Sequence, residues 1–85
     1  MGSQQKFHHF FNGSTSWFKY GELIEDWLDL TAVEETKRGP ALKSRFVGDA
    51  QMYTGLLNRE SLRATDGVKY FRSTFRLHFE QEEEV

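Results

Sequence analysis

The amino-acid sequence predicts an all-α fold: a small bundle of three to five short helices preceded by an extended N-terminal arm. Three observations lead there. Apolar residues recur at three- and four-residue intervals from Trp17 to Leu28, again from Leu42 to Leu57, and again from Val68 to Phe79. The 85 residues suit one domain, read here as an arm and turn over 1–16, a helical lobe over 17–79 and an acidic, fraying tail over 80–85. A chain of this size buries only about 60–65% of the surface its unfolded form exposes, so the core is modest. With eight Phe, three Tyr and two Trp, that core is expected to be built from large rings.

The elements follow in order. In the arm, Phe7, Phe10 and Phe11 are interrupted by His8 and His9 and then by the turn-forming Asn12-Gly13-Ser14. Each ring gains about 1.5–3 kcal/mol from burial, so the arm is expected to pack on the body or on a partner. Ser14, Thr15 and Ser16 offer N-caps for a helix over 17–30, with Trp17, Tyr20, Ile24, Trp27 and Leu28 on one face and Glu22, Glu25, Asp26 and Asp29 on the other. Gly21 and the acids near the C-terminal end are its weak points. Thr31 to Arg38 reads as a polar connection, although Thr31 and Glu34 have capping-box spacing.

Gly39-Pro40 reads as the next helix start, because proline is tolerated in a first turn. Leu42, Phe46, Ala50, Tyr53 and Leu57 form its stripe, broken at Gly48-Asp49, where one short helix ends and another, capped by Asp49, begins. A single kinked helix is the rival reading. Asn58 to Thr65 is a linker with one turn of helix, and Asp66 caps a last helix carrying Val68, Phe71, Phe75 and Phe79 on one line, flanked by Tyr70 and Leu77.

Composition narrows the function classes. The absence of cysteine removes disulfides, thiolate metal sites and zinc knuckles, and fits a reducing compartment, so an intracellular, cytoplasmic location is expected. No run approaches the roughly 18 apolar residues that span a bilayer, so no membrane partner is expected. Net charge is −2, but four of the thirteen acids lie in the last six residues, which leaves nine acids against eleven bases elsewhere. Those bases are spread from Lys6 to Arg76, a distribution that disfavours direct nucleic-acid binding. Lys37, Arg38, Lys43 and Arg45 make one weak local patch for it.

No catalytic centre, metal site or cofactor is expected. His8 and His9 are neighbours on an extended arm and so point apart, which suits solvent or packing better than a shared ion. Glu22 with Asp26, and Glu25 with Asp29, share a helix face but have no pocket to shift their pKa. Gly13-Ser14-Thr15-Ser16 lacks P-loop spacing and reads as a turn and N-cap. Phe7, Phe10, Phe11, Phe18 and Met52 are left over once the helix stripes are assigned, and form the candidate protein interface.

The ordered motifs resemble a known family. Phe11-Asn12-Gly13, Trp17, Asp26-Trp27-Leu28-Asp29-Leu30-Thr31 and Gly39-Pro40-Ala41-Leu42, followed by Phe46-Val47-Gly48-Asp49-Ala50 with Tyr53 and by Val68 to Phe79, are similar to Gag-like capsid proteins of long-terminal-repeat retrotransposons. The likeness covers residues 7–79. Phe46 stands where Leu is commoner, Leu77 where Pro is expected, and the acidic end is foreign to the pattern. The resemblance implies a capsid N-terminal-lobe-like fold and self-association of copies into virus-like particles, with no enzyme activity. It also allows a domesticated adaptor that binds a segment of a host protein.

Overall fold

The computed structural model describes residues 6–79 and places five helices there: α1 (Trp17–Leu30), α2 (Glu35–Lys43), α3 (Gly48–Gln51), α4 (Arg59–Leu62) and α5 (Gly67–Phe79). A 3-10 turn, Met52–Leu56, continues α3. The fold is the expected all-α bundle behind an extended arm. The acidic tail and the first five residues of the arm lie outside the described residues.

α1 spans the predicted residues. The Ser16 side chain accepts a hydrogen bond from the Lys19 N–H (3.2 Å), and the Thr31 N–H closes the other end on the Trp27 carbonyl (2.8 Å). Gly21, a liability by propensity, is buried because the Arg72 guanidinium crosses α1 there; a Cβ on Gly21 would lie 2.9 Å from Arg72 Nη2. Arg72 reaches on to pair with Glu25, which fastens α5 to α1.

α2 departs from expectation. It begins at Glu35, so Pro40 lies inside the helix and not in its first turn. Proline there removes the bond to the Thr36 carbonyl, but Thr36 is exposed and water can serve it. Thr31 and Glu34 do not form a capping box: Thr31 Oγ1 accepts from the Val33 N–H (3.1 Å), and Glu34 makes no side-chain cap bond. Packing explains the helix position. Added Cβ atoms at Gly39 and Gly67 would lie 2.3 and 2.0 Å from the Leu62 carbonyl oxygen, so α2 and the start of α5 both close onto α4 where only glycine fits.

Phe46, expected on the helical stripe, is extended and pairs in an isolated parallel bridge with Phe11. The Phe11 N–H donates to the Arg45 carbonyl (3.0 Å) and the Val47 N–H to the Phe11 carbonyl (2.9 Å). The arm therefore supplies bonds that a helix would otherwise have made locally. Gly48, at φ +56°, then starts α3, with extended Val47 as its N-cap residue; Asp49 falls in the first turn and does not cap. Tyr53, predicted core, is 41% exposed, because the 3-10 turn changes the pitch and breaks the four-residue register.

Among the described residues one cluster forms the core, with nine aromatic and four aliphatic buried residues. Phe11 is its hub, with ring centroids 4.8 Å from Tyr20, 4.9 Å from Phe79, 5.2 Å from Phe46 and 5.3 Å from Trp17. Phe71 and Phe75 close the far side from α5, as their spacing predicts.

Two outcomes test this packing by urea unfolding. Phe11→Ala costs about 3–5 kcal/mol, the range for emptying a buried aromatic site, whereas Phe10→Ala, one residue away, stays within about 1 kcal/mol. Gly67→Ala costs about 1–3 kcal/mol, since the added methyl meets backbone that cannot swing aside.

Candidate functional site

The five residues of the candidate interface separate into two groups. Phe7 and Phe11 are 2% and 0% exposed and belong to the core, which corrects their assignment to a free surface. The cause is the two-residue period of the extended arm: Phe7, His9 and Phe11 share one side, and His8 and Phe10 share the other. Phe7 packs against Trp27 (centroids 5.3 Å apart) and Tyr20 (5.5 Å). Arg45 Nε donates to the Phe7 carbonyl (2.7 Å), and the Tyr20 hydroxyl donates to the His9 carbonyl (2.9 Å), so the arm is held at three levels.

Phe10, Phe18 and Met52 remain outside, at 58%, 53% and 80% exposure. They sit on three different elements. Phe10 lies under the Arg45 guanidinium, 5.0 Å from Cζ to the ring centroid. Phe18 is on the outer face of α1. Met52 is on the 3-10 turn with exposed Leu56 and with exposed Tyr53, which the helical register had placed in the core.

The basic patch divides as well. Lys37 and Arg45 line a small cavity of about 260 Å³ beside Phe7 and Trp27, whereas Arg38 lines a different groove and donates through Nε to the Val33 carbonyl (2.8 Å); Lys43 is exposed and lines neither. Neighbouring positions on a helix point about 100° apart, and Lys37 and Arg38 accordingly line different cavities.

The larger groove, about 550 Å³, runs between α1 and α5. Trp17, Phe18 and Leu28 from α1 and Val68 from α5 supply its apolar lining. Lys69, Arg72 and Arg76 rise from α5 at three- and four-residue spacing, joined by Arg38 from α2. The α1 wall carries Glu25, with Glu22 and Asp29 exposed on the same face. The α5 bases flank the Phe71 and Phe75 line, a stripe that sequence reasoning passed over because it took the bases only as spread along the chain. No group of three or more potential metal ligands occurs among the described residues. No described helix is long and apolar enough to cross a membrane.

Comparison with protein-family models, curated proteins and solved structures finds no match to this chain.

Burial pushes the Tyr20 phenol well above its ordinary value of 10.0, and nearby Arg45 offsets part of that rise. The neutral phenol is the form the core holds. Its contribution is complete below the unfolded pKa near 10 and is lost as pH rises toward the raised folded value. A phenol-absorbance titration is therefore expected to show one tyrosine ionising only together with alkaline unfolding, and Tyr20→Phe to remove that phase.

Proposed function

We propose that this chain is a non-catalytic, capsid-like lobe that works by associating with other copies of itself. The observation that carries this reading is the surplus of large apolar side chains outside a filled core: among the described residues, Phe10, Phe18, Leu30, Met52, Tyr53 and Leu56 are exposed while thirteen hydrophobic residues are packed inside. Single exposed apolar residues are ordinary, but Met52, Tyr53 and Leu56 fall together on one short turn, and Phe18 opens onto a groove whose charged walls flank Trp17, Leu28 and Val68. The Gag-like order of motifs supports the same reading, and an extended arm sealed into the body suits a unit whose remaining surface is available for docking.

Sedimentation across a wide concentration range tests it. The full chain is expected to rise from 10.0 kDa toward multiples of that mass. A variant carrying Phe10→Ser, Phe18→Ser and Met52→Ser is expected to keep its helical circular dichroism and to remain a monomer. A full chain that stays monomeric at the highest concentration overturns self-association; capture of a foreign peptide by that monomer would then favour an adaptor role.

A further inference from the structure

The walls of the α1–α5 groove carry opposite charges. On α1, Phe18, Glu22, Glu25 and Asp29 share one face at spacings of four, three and four, and all four are exposed. On α5, Lys69, Arg72 and Arg76 line the opposite wall at spacings of three and four. Asp66, where α5 begins, is the exception on that wall. Between the walls lie Trp17, Leu28 and Val68, the last two half-buried. Arg72 and Glu25 already pair across the groove and hold its width.

An acid wall beside a base wall, separated by an apolar floor, is complementary to itself. Rotating a second copy by a half turn about an axis along the groove sets its acidic α1 wall over the basic α5 wall of the first, and the reverse contact forms at the same time. A two-fold interface has this reciprocity by necessity, since each patch meets its counterpart twice. A half turn about an axis across the groove would instead place acid on acid and base on base.

We propose that the α1–α5 groove is a two-fold interface between two copies of this chain, with Phe18 of each copy seated on the apolar floor of the other. The proposal rests on the self-association reading and specifies its surface and symmetry. Charge complementarity selects the occupant: a foreign acidic peptide would satisfy the α5 wall and leave Glu22, Glu25 and Asp29 facing like charge.

Two charge-reversed forms of the full chain test it by sedimentation and light scattering, with circular dichroism as the folding control. One carries Glu22→Lys and Asp29→Lys; the other carries Lys69→Glu and Arg76→Glu. These positions are exposed, and the Arg72–Glu25 pair is left intact. Each form alone is expected to self-associate at least tenfold more weakly than the natural chain. Mixed one to one, they are expected to regain a salt-sensitive complex of two chains, twice 10.0 kDa. The interface is overturned if each form associates like the natural chain, or if the mixture stays monomeric. With Phe10→Ser and Met52→Ser added to both forms to remove the other exposed apolar contacts, a mixture that still grows beyond two chains overturns the two-fold arrangement. A natural chain that is itself monomeric overturns this interface together with the function proposed above, whereas association that is indifferent to these charges overturns the interface alone.

Discussion

Phe11 lies where the arm, α1, the 44–47 connection and α5 meet, and the remaining elements are arranged around its ring. Its backbone holds Arg45 and Val47 in place and its side chain touches an aromatic from each of three other segments. Burying Phe7 and Phe11 is worth about 1.5–3 kcal/mol per ring, against a total stability for a small domain of roughly 5–15 kcal/mol. An arm with that share of the total belongs to the body. The break between α2 and α3 follows from the same contact: Phe46 leaves helical conformation because Phe11 offers its neighbours Arg45 and Val47 extended-chain partners.

Much of the architecture was legible because it rests on local periodicity. α1 was readable to both ends, since Ser16 caps it and its apolar residues hold one register from Trp17 to Leu28. The α5 stripe was equally plain in Phe71, Phe75 and Phe79. Failures occurred where a distant contact overrode a local preference. Pro40 looked like a helix start, but α2 reaches back to Glu35 as its Gly39 seats against the Leu62 carbonyl. Phe46 and Tyr53 fitted a four-residue stripe, yet one joined the arm and the other followed a 3-10 turn.

The same distinction governs the candidate surface. Sequence reasoning found the surplus of aromatic residues but grouped Phe7, Phe10 and Phe11, although two-residue alternation already separates the middle ring from its neighbours. Lys37 and Arg38 looked like one patch through adjacency in the chain, while the helix sends them to different cavities. The acidic face of α1 was visible from the start. Its significance depends on the basic side of α5 standing across a groove from it, a relation that exists only after the core has closed. Gly21 belongs to this account: it is the gap through which Arg72 crosses α1 to reach Glu25.

The contact between Phe11 and Phe79 joins one of the first described residues to the last. A ribosome adding about 5–20 residues per second needs on the order of 3–14 s to make the intervening chain. Throughout that interval the Phe11 ring has no complete site to enter, because Phe79 of α5 has not been made, whereas the partners of Phe7, Tyr20 and Trp27, belong to α1. Helix α1 can form early from its own cap and apolar stripe, but the aromatic hub closes only after translation has passed α5. The arm therefore completes its packing last, although it is made before the helices that surround it.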